Sequence, residues 1–99
     1  MLETLNAETF STHLNTTFRI RLTESECLDL ELIEIDSARE RPRQEQFSIV
    51  FRGAKEKAVA QGTYPMDHER LGSFDLFLVP VSWDDQFVYY QAVFNRLRK

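Results

Sequence analysis

The feature that most constrains this fold is an alternation of apolar and charged residues that begins near position 16. Residues 18–22 alternate apolar side chains with arginines, and residues 28–32 alternate leucines with acidic side chains. Because successive side chains of a strand point to opposite faces, this period of two predicts two half-buried β-strands. We therefore expect an antiparallel sheet with one face on a core.

The pairing of these two strands follows from burial of one face, since apolar residues must then oppose apolar residues. The rule predicts the pairs Phe18 with Leu32, Ile20 with Leu30, Leu22 with Leu28, Arg19 with Glu31 and Arg21 with Asp29. Each exposed charge pair contributes only about 0.2–1 kcal/mol, so the apolar face is expected to set the register.

The alternation changes phase at one point in the second strand. Leu32 is followed directly by Ile33, after which the alternation resumes with the opposite parity. Two consecutive apolar residues in such a pattern indicate a β-bulge, which bends a strand and lets it continue around a core. This favours a barrel or rolled sheet over a flat one.

The remaining elements complete a mainly β, antiparallel meander of about six strands, rolled into a small barrel or sandwich. An apolar stripe and a capping residue, Asn6, predict one short amino-terminal α-helix at about residues 2–14. Residues 54–61 fit either a helical turn or a plain loop. The expected strands cover about residues 16–22, 27–36, 46–52, 62–67, 73–82 and 86–95.

The last two predicted strands differ from the others because both of their faces are apolar. Residues 74–81 and 87–94 contain few polar positions, so something must cover each side of this hairpin. The other strands supply one covering. The amino-terminal helix or a homodimer interface could supply the second.

Length and composition limit the class of protein. The 99 residues form one expected domain, residues 1–99, and the net charge of −4 disfavours a dedicated binder of duplex DNA. Cys27 is the only cysteine, so no internal disulfide can form and a cytoplasmic location fits best. The longest apolar run has six residues, far below the roughly 18 of a membrane span, so we expect a soluble chain without membrane association.

Residues that could carry chemistry do not combine into a recognisable site. His13 and His68 lack zinc-site spacing, and Cys27 lies in a stretch, residues 24–36, that holds six acids and no base. The Asp84-Asp85 pair falls in a predicted turn, where Asp usually bonds to the backbone. We therefore assign no catalytic, metal-binding or cofactor-binding residue and expect no cofactor.

Two features could contact a partner. Arg39, Arg41 and Arg43 alternate in a loop, so an extended segment would point all three guanidinium groups to one side, toward carboxylates or phosphates. A solvated loop that balances the acidic strand before it is the alternative. Trp83 lies at the tip of the last hairpin, where it either anchors an interface or folds back over the core.

Several segments together resemble a known family. They are Met1 to Leu5 with Phe10, Phe47 to Gly53, Gln61 to Tyr64, His68 with Leu71-Gly72, Phe77 to Val81, and Tyr90 to Asn95. Across nearly its whole length the chain resembles a family of bacterial domains of about one hundred residues and unknown function. Some members are encoded near phage-tail-collar-like proteins. The resemblance implies a bacterial source, a β-rich single domain and a part in a tail-like or surface assembly, and it implies no activity.

These observations favour a non-enzymatic interaction or structural domain that binds a protein partner or forms a homodimer. The main alternative is a small-molecule-binding barrel or an uncharacterised enzyme, with a pocket at the barrel mouth lined by Tyr64, His68 and Tyr90. A binder of single-stranded nucleic acid is a third and less favoured alternative, because Phe47 and Phe51, which could stack on bases, share a face with Ile49 and are expected in the core.

Overall fold

Six antiparallel strands and one short helix form the part of the chain that the structure, a computed structural model, describes: residues 6–37 and 44–97. The elements are α1 (Ala7–Thr12), β1 (Thr17–Arg21), β2 (Cys27–Asp36), β3 (Gln44–Ala54), a 3-10 turn (Lys55–Lys57), β4 (Gly62–His68), β5 (Gly72–Trp83) and β6 (Phe87–Leu97). The strands close into a barrel in the order β1-β2-β3-β6-β5-β4. The expectation of a mainly β antiparallel fold with one short helix, rolled into a barrel, is confirmed.

The barrel consists of two three-stranded meanders, β1–β3 and β4–β6. They join along a long ladder between β3 and β6, which runs from Gln44–Leu97 to Ala54–Phe87, and along a short ladder between β1 and β4. The chain between β3 and β4, for which the sequence fits either a helical turn or a loop, is a 3-10 turn followed by irregular backbone to Gln61.

Helix α1 begins where the sequence predicts a cap and ends after six residues. The Asn6 side chain accepts a hydrogen bond from the amide of Thr9 at 2.8 Å. Beyond Thr12 the chain turns, and Asn15 has a φ of 68°, a left-handed conformation that Asn tolerates better than most residues. The Asn15 amide then donates to the carbonyl of Leu32 at 2.7 Å, which ties the end of the turn to β2.

The predicted register between β1 and β2 is wrong by two residues. The observed pairs are Phe18 with Leu30, Arg19 with Asp29, Ile20 with Leu28 and Arg21 with Cys27. The connecting turn is tighter than expected, because the Leu22 amide bonds to the Glu26 carbonyl and the Thr23 hydroxyl accepts from two backbone amides. A shift of two residues keeps every side chain on its face, so burial alone could not distinguish the two registers.

The predicted β-bulge in β2 is confirmed. Leu32 pairs with Phe51, whereas Glu34 pairs with Val50, so the register shifts by one residue at Ile33. A bulge of this kind bends its strand and increases its twist. It lies within the β2–β3 ladder, just beyond Glu31, the last residue of β2 that pairs with β1.

Both ends of the barrel are closed. At one end Phe10 of α1 is fully buried, and its ring centroid lies 5.5 Å from that of Phe94 and 6.2 Å from that of Phe47. At the other end the Val59 amide donates a hydrogen bond to the hydroxyl of Tyr90 at 3.0 Å. Because α1 closes an end, its described residues do not cover the outer face of β5 and β6.

Candidate interaction surface

The outer face of β5 and β6 carries apolar side chains that nothing in the described structure covers. Leu76 and Leu78 of β5 point inward and are at most 5% exposed, whereas Phe77 between them is 50% exposed. On β6, Val93 lies between the buried residues Ala92 and Phe94 and is 64% exposed. The predicted two-faced hairpin is therefore present, with only its inner face in the core.

A second bulge adds to this face. Pro80 pairs with Tyr90 and Ser82 with Tyr89, so Val81 is an extra residue in β5, and it is half exposed. Half-buried Val79 lies between Phe77 and Val81 along the strand. We call the four side chains Phe77, Val79, Val81 and Val93 the outer patch.

Val93 stands between two grooves. One groove is lined on its β2 and β3 side by Asp36, Gln46 and Ser48. The other is lined on the β5 side by Asp75 and Phe77, with Ala92, Phe94 and Asn95 of β6. The patch therefore contains a projecting side chain with a depression on each side.

Trp83 lies at the tip of the last hairpin and is exposed over 70% of its surface. Asp84 shapes the turn: one carboxylate oxygen accepts from the amides of Gln86 and Phe87 at 2.8 Å, and the other accepts from the Tyr89 hydroxyl at 2.6 Å. The Tyr89 bond, with the two amide bonds, lowers the pKa of Asp84, and the same bond raises the pKa of Tyr89. Asp84 thus has the backbone role predicted for it.

Sequence reasoning missed Arg52, which links three strands next to this tip. Its guanidinium bonds to Glu31 at 2.8 Å and lies 4.5 Å from the centre of the Phe87 ring. The alternation in β3 places Arg52 on the outer face. Its neighbours could not be inferred, because the Glu31–Arg52 pairing depends on the register beside the bulge in β2.

The three polar residues assigned to a pocket do not converge. The hydroxyls of Tyr90 and Tyr64 both bond to the segment after the 3-10 turn, at Val59 and Ala60 respectively. His68 lies at the α1 end, near Thr16. The interior between them is filled by the buried apolar side chains of all six strands and α1.

The side chain of His68 is buried, with 7% of its surface exposed, and it makes three hydrogen bonds. Its Nδ1 accepts hydrogen bonds from the amides of Arg70 and Leu71 at 3.0 and 3.2 Å, so the proton of the neutral ring is on Nε2. That N–H donates to the Thr16 hydroxyl at 2.9 Å, which in turn donates to the carbonyl of His13 at 2.6 Å. Burial lowers the pKa of His68, and the nearby His13 lowers it further.

The other candidate residues from the sequence can be placed only in part. Arg39, Arg41 and Arg43 lie outside the described residues. Cys27 is exposed at the start of β2. The described ranges hold no cluster of three or more His, Cys, Asp or Glu side chains able to bind a metal ion, and none of their helices is long and apolar enough to cross a membrane.

Comparison with known proteins identifies a family. Residues 5–94 match the model of a domain of unknown function (DUF6916). No curated protein and no solved structure matches the chain. The match covers nearly all of the 99 residues and confirms the resemblance to a family of small domains of unknown function. The chain therefore belongs to this family of domains of unknown function.

Proposed function

We propose that this domain is a non-enzymatic interaction module that binds a protein through the outer patch. The observation that carries the proposal is the exposure of Phe77, Val81 and Val93 on strands whose inner faces already fill the core. These side chains are not part of the buried core cluster, and contiguous exposed apolar side chains commonly mark contact sites.

The arrangement of the polar groups supports the same proposal. Tyr64, His68 and Tyr90 each hold a loop or turn through a hydrogen bond, which is a structural use of these side chains. The barrel interior is packed with apolar residues. Binding at the surface therefore fits this chain better than binding inside the barrel, and a place in a larger surface or tail-like assembly would use such a module.

Site-specific photo-cross-linking tests the proposal. The photoreactive residue p-benzoylphenylalanine would replace Phe77 or Val93 in the full chain, expressed in the cells from which the gene comes. A matched control carries it at Thr17, an exposed position on β1, which is three strands away from β6 around the barrel. We expect protein adducts from positions 77 and 93 that are absent from position 17. Equal adducts from all three positions, or none from 77 and 93, would show that the outer patch is not a binding surface.

A further inference from the structure

We propose that the protein bound by the outer patch is a second copy of this chain, in a two-fold symmetric dimer. This inference rests on the proposed function, because it names the occupant of the same surface. Three properties of the patch carry it: its shape, its charge and its area.

The shape is self-complementary. A two-fold contact joins one patch to itself, so the patch must contain both a projection and a depression that can receive it. Val93, 64% exposed, projects between two grooves on the same face. A partner of different structure would need only one of these features. Their presence together favours a second copy, with Val93 near the two-fold axis.

The centre of the patch is uncharged. Val79 pairs with Gln91 at the end of the β5–β6 ladder, and Phe77 and Val93 line the groove that lies beyond this pair. Across β6, Gln91 pairs with Val50 and Val93 with Ser48. Among the described side chains lining the two grooves, carboxylates occur only at opposite edges, as Asp36 on β2 and Asp75 on β5. A neutral centre does not select a partner of opposite charge, and it allows two identical surfaces to meet.

The exposed apolar area fits one half of a small interface. A standard interface buries about 800 Å² per partner, of which somewhat more than half is apolar, so each side supplies about 450 Å² of apolar surface. Within the outer patch Phe77 is 50% exposed, which for an aromatic side chain of its size corresponds to roughly 100 Å². The half-exposed valines of the patch add to that area. The total suits a reversible dimer at the small end of the range.

The dimer would form through the faces of the two barrels. Among the described residues the six strands close on one another, with β4 paired to β1, so these strands offer no complete free edge along which a second chain could extend the sheet. The dimer is therefore expected to form by contact between outer faces, with side chains of one copy entering the grooves of the other.

Measurement of the oligomeric state tests this inference. Sedimentation velocity and light scattering on the purified full chain, from about 5 to about 500 μM, should show a monomer–dimer equilibrium. The double variant Phe77→Thr/Val93→Thr should raise the dissociation constant at least about tenfold, since it removes central apolar contacts while placing Thr, a residue that favours strands, at both positions. Circular dichroism at matched temperature would verify that the variant remains folded.

A matched control removes an apolar side chain elsewhere. The control variant is Leu22→Thr, which replaces a side chain that is 37% exposed in the turn between β1 and β2. Its dissociation constant for dimerisation should equal that of the native chain. In a Cys27→Ser background, Val93→Cys should form a disulfide-linked dimer under mild oxidation, whereas Leu22→Cys should not, because only a residue close to the axis meets its own copy.

The dependence of binding on salt concentration distinguishes a second copy of this chain from a basic protein partner. Because the patch centre is neutral, raising NaCl from about 50 to about 500 mM should leave the dimer intact, whereas contact with a basic protein would weaken. A chain that stays monomeric at about 500 μM, or a double variant that dimerises like the native chain, overturns this inference. If photo-adducts of a different protein still form at position 77, the proposed function stands and only the second copy is refuted.

Discussion

The bonds of His68 predict that the domain loses stability as the pH falls through the mildly acidic range. The neutral ring accepts two amide hydrogen bonds at Nδ1 and donates one at Nε2. Protonation places a hydrogen on Nδ1 and abolishes both amide bonds, so the folded state resists protonation, and burial lowers the pKa for the same reason. In the unfolded chain the ring titrates near its ordinary pKa of about 6.5.

The sign and size of the effect follow from proton linkage. Between the lowered folded pKa and about 6.5 the unfolded chain binds more protons, so the free energy of unfolding decreases as the pH falls below about 6.5. One such group contributes at most about 1.4 kcal/mol per pH unit. The charged and titratable neighbours are His13, whose ring lies 4.7 Å away, Glu69 and Arg70. His13 and Arg70 oppose protonation of His68, and Glu69 favours it.

Substitution of His68 measures how much its hydrogen bonds contribute to the free energy of unfolding. His68→Leu removes three hydrogen bonds of about 0.5–1.5 kcal/mol each and leaves two amides without their acceptor, so we expect a loss of about 2–4 kcal/mol at pH 7.5. His68→Asn offers an oxygen near the place of Nδ1, and it should lose about half as much. Packing alone would not rank the variants in this order, since Leu fills the space beside Phe18 better than Asn does.

Urea unfolding followed by circular dichroism at pH 7.5, 6.5 and 5.5 measures these quantities. The difference in stability between the native chain and His68→Leu should shrink as the pH falls, because the variant lacks the group that titrates. The reasoning is refuted if both proteins lose stability with the same slope between pH 6.5 and 5.5, or if His68→Leu is as stable as the native chain at pH 7.5.

Three further perturbations follow from the packing and the hairpin tip. Gly53→Ala places a Cβ 2.5 Å from a buried leucine methyl group and should cost about 1–3 kcal/mol in chemical denaturation, whereas the control Gly62→Ala meets only ordinary 3.7 Å contacts and should change stability by less than about 1 kcal/mol. Phe10→Ala opens one end of the barrel and should cost about 3–5 kcal/mol in the same assay; a smaller loss would mean that α1 is not needed to close the core. Asp84→Ala should return the pKa of Tyr89 toward its ordinary value in an ultraviolet titration of the phenol, and an unchanged titration would contradict the bond between the two side chains.

Local patterns in the sequence predicted the strands and the bend because each depends on a few consecutive residues. The phase change at Leu32 and Ile33 is a property of one strand, and the bulge was found there. The register of β1 on β2 was predicted wrongly, because it depends on how tightly residues 22–26 turn. The alternation is identical in registers that differ by two residues.

The candidate surface was partly visible in the sequence. Apolar residues on both faces of the last two strands predicted that one face needs a covering, and the structure places Phe77 and Val93 outside the barrel. The hydrogen bond between His68 and Thr16 could not be predicted, because the two residues lie 52 positions apart in the chain and come together only when β4 pairs with β1. The contacts of Arg52 could not be predicted either, because they depend on the register of β2 on β3.

The closure between β1 and β4 has a consequence for the motions of the domain. Only two residue pairs, Arg19–Asp67 and Ile20–Met66, join these strands, together with an exposed ion pair between Arg21 and Asp67 at 3.0 Å. Opening there breaks few backbone bonds, so it should cost much less free energy than global unfolding and should convert the closed cylinder into an open sheet. Amides that hold this seam are expected to exchange with deuterium well before those in the ladder between β3 and β6.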